Sequence, residues 1–274
     1  MSQETVLDNN IKNHKLPITA VVVIYNEQSI LRRCLESLAF CDQIIAVDLG
    51  SKDDSVKIAQ ECGAEIMEHE LVPFGEKVMP NVLPKARNNW ILRLDPDEQF
   101  SDLLVDDLAR EISMEDGSLA LIKLPFVYYF RGKRLKTTRW GKIEYKTTLL
   151  YRGRVEIITA VHSGYAHCKP GYRATLIPAT DDNPVRHYWI DTYEQLFEKH
   201  NRYIPYEGEA RYAKGERFSW GHLIKETVLA LKYNLISTRG LLGGFTGIFL
   251  SFFYSWYVAR GLLSLRRHEK NKPA

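Results

Sequence analysis

The chain reads as an α/β protein built on a mostly parallel sheet with helices on both faces. Three observations predict this. Ile18–Ile24 (ITAVVVI) is a β-branched run, the signature of a strand buried on both sides. Apolar runs then alternate with helix-spaced segments over residues 18–112, the pattern that lays parallel strands under crossover helices. The 274 residues, 45% hydrophobic and 26% charged, suffice for a sizeable core. Such a composition excludes a disordered, collagenous or disulfide-scaffold protein.

The elements follow in order. After the first strand, Leu31, Cys34, Leu35 and Leu38 repeat at helical spacing. Ile44–Val47 is a second short strand. Asp53–Cys62 reads as a helix with Val56, Ala59 and Cys62 inward and Gly63 as its stop. Ala64–Met67 is a third strand. Residues 70–84 hold three prolines and Gly75 and read as a loop. Trp90–Leu94 is a strand and Leu103–Ile112 a helix. Beyond residue 118 the pattern changes to extended runs at Leu119–Tyr129, Thr147–Arg152, Val155–Ala160 and Ala174–Ile177. Helices return at about 191–205 and 218–236, and no internal repeat is visible.

Charge and cysteine usage narrow the classes. Lys+Arg 37 against Asp+Glu 34 leaves +3, too even a balance for a nucleic-acid binder. The four cysteines, at 34, 41, 62 and 168, form no CxxC pair, so zinc-ribbon spacing is absent. Cys34 and Cys41, seven apart, read as buried packing in a reducing compartment. The first fifteen residues are polar and lack the apolar stretch of a signal peptide. The expectation is a protein of the cytosol or of its membrane face.

In an open α/β sheet, ligands bind beyond the carboxyl ends of the strands. Three strands here deliver carboxylates to that rim. The first runs into Tyr25-Asn26-Glu27, the second into Asp48-Leu49-Gly50-Ser51 with Asp53-Asp54 beyond, and the fourth into Asp95-Pro96-Asp97-Glu98. Asp53 or Asp54 alone would read as a helix cap. Asp95-Pro96-Asp97-Glu98 packs three carboxylates into four residues, which raise one another's pKa unless a cation neutralises them. In an extended loop Asp95 and Asp97 share a side, stiffened by Pro96. Hard oxygen ligands of this kind suit Mg²⁺ or Mn²⁺ together with substrate phosphates. The competing reading is a solvated loop that caps the helix starting near Ser101.

On these residues the sequence resembles the family 2 glycosyltransferases with the GT-A fold, a Rossmann-like, mostly parallel sheet. The similarity is greatest to the bacterial branch that builds lipopolysaccharide cores and related surface glycans. It is carried by Val22–Glu27 (VVIYNE), Leu35–Leu38 (LESL), Ile44–Ser51 (IIAVDLGS) with Asp53, Phe74-Gly75 with Lys77, and Trp90–Glu98 (WILRLDPDE). A weaker likeness continues through Tyr145–Gly153, Val161-His162 and His187-Tyr188. The resemblance implies inverting transfer from a nucleotide-diphosphate-sugar, a UDP-sugar favoured, with Mg²⁺ or Mn²⁺. It implies that Tyr25, Asn26, Glu27, Asp48, Ser51, Asp53, Lys77 and Asp95 bind the donor, and that Asp95, Asp97 and a late histidine, His187 or His162, hold the metal. The chain departs from the family pattern at Pro96, where alanine is usual, and at Leu49, Ser163 and Thr148. The last two remove a carboxylate and an arginine expected on the acceptor side.

An inverting transfer needs a carboxylate to take the acceptor hydroxyl's proton. Residues 131–146 (RGKRLKTTRWGKIEYK) carry seven Lys/Arg and one acid, Glu144. Glu144 occupies the place of the acid in the family's Trp-x-Pro-Asp-Tyr pattern and is the candidate base. A surface residue paired with a neighbouring lysine is the bland alternative, and Glu98 is a lesser candidate. The basic cluster is either a solvated hairpin or a patch that attracts a phosphorylated or anionic-lipid acceptor. Trp140 is a candidate for stacking on a sugar or for packing.

Gly240–Ala259 (GLLGGFTGIFLSFFYSWYVA) carries no charge over twenty residues. Its early glycines weaken a helix. Phe245–Ala259 alone would extend about 22 Å, short of the roughly 30 Å bilayer core. Basic flanks with Trp256 and Tyr257 suit an interfacial helix. Spanning the bilayer, packing within the protein, or a dimer contact are the other readings. The expected organisation is a flexible N-terminus at 1–16, a nucleotide-sugar-binding half at 17–115, an acceptor-side half at 116–190, and a helical, membrane-associating segment at 191–274. The expected activity is sugar transfer to a glycan or lipid-linked acceptor in surface-polysaccharide or lipopolysaccharide synthesis. The alternatives are a non-catalytic, membrane-bound sugar-nucleotide binder and a sugar nucleotidyltransferase. A nucleotidyltransferase would want a Gly-rich phosphate loop after the first strand, and a dehydrogenase a GxGxxG there; Tyr25-Asn26-Glu27 supplies neither.

Overall fold

The computed structural model of the protein describes residues 15–72, 75–157 and 166–271. Phe74, the end of the expected 155–160 strand and Val161–Ser163 lie outside the described residues. The chain divides into two compact units, 1–126 with 144–187, and 127–143 with 188–274.

In the first unit the expected alternation is present. The strands are β1 (Leu16–Ile24), β2 (Cys41–Asp48), β3 (Glu65–Glu68) and β4 (Trp90–Leu94). Between them lie helices α1 (Leu31–Glu36), α2 (Ser55–Glu61) and the short α3 (Met79–Val82), which two 3₁₀ turns flank inside the segment expected to be a loop. The short strand β5 (Glu98–Gln99) and helix α4 (Asp102–Ser113) follow. Cys41 opens a strand rather than continuing the preceding helix, yet both it and Cys34 are buried.

The sheet order is β3-β2-β1-β4, all parallel, continued by β8 (Glu144–Tyr151), β6 (Leu119–Phe130), β12 (Val185–Ile190) and β5. β8 runs antiparallel to both β4 and β6. The sheet is therefore mixed, parallel over β3-β2-β1-β4 with β8 antiparallel to both its neighbours, in the α/β arrangement expected of the GT-A fold. Two short strands, β9 (Val155–Ile157) and β10 (Ala166–Cys168), pair on their own, and β11 (Arg173–Leu176) runs parallel to β6.

Alternation along β1 sorts the core onto two faces. Ile18, Ala20, Val22 and Ile24 pack with Leu31, Cys34, Leu35, Leu104 and Leu108. Val21 faces the other way and packs with Val78, Met79 and Val82. Each such fully buried aliphatic side chain contributes roughly 1.5–3 kcal/mol relative to exposure. Register aligns the strand ends: Ile24 pairs with Asp48, and Val22 with Leu94. The carboxyl ends of β1, β2 and β4 thus share one rim.

The second unit holds helices α5 (Tyr193–Ala213), α6 (Trp220–Lys232) and α7 (Gly244–Asn271), with a two-residue strand β7 (Lys133–Arg134) in its hairpin. α5 begins with a capping box between Thr192 and Gln195. Close approach to α7 requires glycine at 208, where a Cβ would stand 2.6 Å from the Ser264 backbone. A 3₁₀ turn, Gly240–Gly243, precedes α7. The apolar segment is long and apolar enough to cross a membrane by length and composition, and a third of its most apolar window is buried in the protein. Leu250, Phe253, Val258, Leu262 and Leu265 face inward while Phe245, Ile248 and Phe252 are exposed.

Candidate functional site

The rim is built from two laced loops and an acidic turn. The loop after β1 and the loop after β2 exchange hydrogen bonds along their length. Asn26 N donates to Ser51 Oγ (3.0 Å) and Lys52 N to Asn26 Oδ1 (2.7 Å). Gln28 N donates to Asp53 Oδ2 (3.1 Å), Asp54 N to Gln28 Oε1 (3.0 Å), and Glu27 N to Ser55 Oγ (2.7 Å). Asn26 sits at φ 58, a conformation its short amide tolerates. Asp48 is buried and accepts from Ser51 N. Partial desolvation pushes the Asp53 carboxyl up, but hydrogen bonds from the Ser55 hydroxyl and from the Gln28 and Ser55 amides win, and its pKa is lowered.

Tyr25 is exposed on this rim. Lys77, on the 3₁₀ turn Gly75–Val78, is exposed as well.

The Asp95–Glu98 segment is a turn rather than an extended loop. Glu98 N donates to Asp95 O (3.0 Å) and Asp95 N to Glu98 Oε2 (3.0 Å). The turn sends its carboxylates to different partners. Asp95 Oδ1 meets Arg93 Nη2 at 3.1 Å, and Arg93 Nη1 reaches Glu76 at 2.7 Å. Asp97 Oδ2 stands 3.2 Å from His187 Nε2. Glu98 Oε1 lies 3.4 Å from His187 Nδ1 and 3.0 Å from Lys146 Nζ. The pairing of β12 with β5, His187 opposite Glu98, holds the imidazole there. Helix α4 is capped by Ser101, whose Oγ accepts from Leu104 N, so the turn's acids are not its cap.

Asp97, Glu98 and His187 offer ligand atoms all within 4.8 Å of one another. Two cis ligands about 2.1 Å from Mg²⁺ or Mn²⁺ would lie about 3.0 Å apart. The 3.2 Å separation of Asp97 Oδ2 and His187 Nε2 matches that spacing. A carboxylate on the second imidazole nitrogen, here Glu98, is the usual orienting partner of a ligating histidine. These residues therefore fit a divalent cation. Asp95 does not belong to this group.

The Cys34 thiol donates to Asp95 O at 3.4 Å, tying α1 to the turn. Burial, reinforced by Glu98, Asp97 and Asp95, drives its pKa well up, so it stays a protonated donor.

Glu144 opens β8 and is exposed; its backbone is paired opposite Phe126. Glu144 and Lys146 are two residues apart on one strand and share its face. Lys146 points at Glu98 and His187, with its ammonium 4.3 Å from the Phe126 ring centroid. His162 lies outside the described residues. Trp140 packs against Trp189 and Tyr254 in the second unit.

Sequence reasoning assigned no role to Arg93 or Gln28, and read Lys146 only as one of the seven basic residues at 131–146. Arg93 carried a signal: it is the one charged residue in an otherwise apolar strand, WILRL. Lys146 carried another, its two-residue spacing from Glu144. Gln28 carried none, because its partners come from a loop 25 residues on.

Residues 19–174 match the profile described as Glycosyl transferase family 2. The lipopolysaccharide core biosynthesis glycosyltransferase LpsC of Rhizobium meliloti is 29% identical over 167 residues, 55% of this chain and 57% of that protein. An uncharacterized glycosyltransferase of Rickettsia prowazekii is 24% identical over 91% of this chain and 86% of its own length. One from Rickettsia felis is 33% identical, but the match spans only 32% of that protein. Among solved structures, glucosyl-3-phosphoglycerate synthase from Mycobacterium tuberculosis, in complex with Mn²⁺ and UDP-glucose, superposes with a TM-score of 0.35 at 19% identity. That superposition covers 48% of this chain and 49% of that one.

Proposed function

The chain belongs to glycosyltransferase family 2, and from that premise we propose that it is a metal-dependent, inverting enzyme. It moves a sugar from a nucleotide-diphosphate-sugar, with UDP-sugars the first donors to test, to a glycan or lipid-linked acceptor. The observation that carries this reading is the 3.2 Å approach of Asp97 to His187, with Glu98 behind the imidazole. Asp97 and His187 would hold Mg²⁺ or Mn²⁺. Such an ion supplies positive charge against the charge developing on a departing diphosphate.

The chain's own groups account for the rest. The laced loops after β1 and β2 hold the nucleoside end, with Tyr25, Asn26, Glu27, Asp48 and Ser51 toward the donor. Asp53, its oxygens taken by Gln28 and Ser55, positions those loops. Asp95 is set by Arg93 at the ribose side, and Lys77 is a candidate for the diphosphate. Glu144, on the strand face that Lys146 turns toward Glu98, takes the proton of the acceptor hydroxyl. At about 3.3 Å per residue it stands about 7 Å along the strand from Lys146, which leaves room for a sugar between base and cluster.

The similarity to a lipopolysaccharide core glycosyltransferase supports a surface-glycan acceptor. The apolar C-terminal helix supports peripheral attachment at the cytoplasmic face of the inner membrane.

Thermal shift with UDP, with and without Mn²⁺, and UDP release from UDP-sugars test the reading. UDP with Mn²⁺ should stabilise the protein, and Asp97→Ala should abolish that gain. Glu144→Gln should keep the stabilisation and lose roughly 10²–10⁴-fold in turnover. No metal-dependent stabilisation, or full turnover in Glu144→Gln, would overturn the respective assignment.

A further inference from the structure

We propose that the second unit carries a pocket for the phosphate headgroup of an anionic membrane lipid. The proposal deepens the membrane-attachment reading and rests on it.

The pocket is a cavity of about 580 Å³ between the hairpin Phe130–Thr137 and the turn into α7. Arg131, Lys133, Arg134 and Lys136 line it, and no acid does. Arg131 adopts φ 53 and lays its guanidinium 5.0 Å from the Tyr193 ring centroid, which fixes it in place. Lys133 and Lys136 are exposed, and among the described residues neither has an acidic partner. The like charges of Arg131, Lys133 and Lys136 on one short hairpin repel one another, and an anion in their midst relieves that repulsion.

The opposite wall identifies the anion's source. Leu242 is 78% exposed and Phe245 73%, with Leu241 and Ile236 also exposed nearby in sequence. Leu242 lines the cavity itself. A soluble phosphate would gain nothing from that apolar wall. A lipid would, because its acyl boundary covers Leu242 and Phe245 while its phosphate meets the lysines. The volume exceeds one phosphate and falls within the roughly 300–1,000 Å³ of small-molecule sites.

Glycines make this juxtaposition possible. A Cβ at Gly243 would stand 2.2 Å from Thr137 Oγ1, and one at Gly247 2.2 Å from Gly240 O. Glycine at 243 leaves room for the Thr137 hydroxyl of the basic hairpin, and glycine at 247 lets α7 pack on the backbone of the Gly240 turn. The Gly-rich start of the segment, which weakens a helix, thus has a packing purpose inside one chain.

The test is co-sedimentation of the full chain with phosphatidylcholine vesicles, with and without phosphatidic acid. Wild type should bind the anionic vesicles. Lys133→Glu/Lys136→Glu should lower that partitioning on the order of 100-fold, with an unchanged circular dichroism spectrum. Leu242→Ser/Phe245→Ser should lower it as well. Absence of wild-type binding to either vesicle would remove the membrane reading and the pocket together. Wild-type binding that the charge reversal leaves intact would keep the membrane reading and overturn the pocket. Displacement from vesicles by inorganic phosphate would assign the pocket to a free anion and overturn the lipid headgroup.

Discussion

Lys146→Met is the substitution whose consequence follows most directly from the geometry. Glu98 is 3% exposed, and Lys146 Nζ, 3.0 Å from its Oε1, is the permanent cation facing it. The Asp95 amide donates to Glu98 Oε2, and His187 Nδ1 lies 3.4 Å from Glu98 Oε1. Removing one member of a buried pair costs about 3–5 kcal/mol because a charge is left without its counterpart. The lysine is itself 26% exposed, so the lower end applies, about 3 kcal/mol. For a unit of this size that lowers Tm by roughly 6–12 °C. Methionine also gives up the ammonium's 4.3 Å approach to the Phe126 ring centroid, which adds about 0.5–1 kcal/mol to the loss. The decisive measurement is a double-mutant cycle in urea. Glu98→Gln removes the charge that the lysine neutralises, so Lys146→Met/Glu98→Gln should be at least about 1.5 kcal/mol more stable than the sum of the single effects predicts. A Lys146→Met variant within about 1 kcal/mol of wild type, or strict additivity in the cycle, would refute the reasoning.

Three further predictions concern the second unit. Gly247→Ala should destabilise by about 1–3 kcal/mol in thermal unfolding, because its Cβ would meet a backbone oxygen at 2.2 Å. Gly221→Ala, near the start of α6 with open space around it, should be neutral or stabilising by up to about 1 kcal/mol. His200 gives the acid limit. Burial among Trp189, Phe253 and Tyr257 lowers its pKa to about 4, against a weaker upward pull from the Leu196 carbonyl. The unfolded chain takes up the proton near pH 6.5 and the folded chain does not. Stability is therefore full above pH 6.5 and falls by about 3 kcal/mol as the pH drops toward 4. His200→Phe should flatten that part of the stability–pH curve; an unchanged slope would reassign the loss to other groups.

The N-terminal half of the sheet was legible because its signals are local. A β-branched run, helix-spaced leucines and a Gly63 stop each report on their own few residues. The in-register ends of β1, β2 and β4 follow from parallel crossover connections. The antiparallel insertion of β8 between β4 and β6 was not legible. It joins residues some sixty apart, as in Trp90 opposite Tyr151, and no short window holds both partners. The 70–84 segment shows a subtler limit. Its prolines were read as breakers, yet Pro80 sits at the start of α3 and Pro84 in a 3₁₀ turn, where a missing N–H is tolerated.

The acidic turn marks where sequence reading of the site ran out. Two aspartates two residues apart share a side only if the backbone between them is extended. Here the Glu98 amide closes a turn on the Asp95 carbonyl, and the Glu98 carboxylate folds back to accept a second bond, from the Asp95 amide. That second bond forms because Glu98 is held from behind by Lys146 and His187, which reach it from β8 and β12. The direction of each carboxylate is thus set by strands 48 and 89 residues away in sequence. Residue types and spacing identified which side chains gather on the rim; which of them face one another depends on the antiparallel half of the sheet. The same logic makes Lys146 the residue that couples the two halves of this unit: its strand also carries Glu144, and its ammonium touches the partner of Asp97. Loss of Lys146 should therefore disturb Asp97–His187 geometry as well as stability, and the UDP–Mn²⁺ thermal shift of Lys146→Met should be smaller than that of a surface variant of equal Tm.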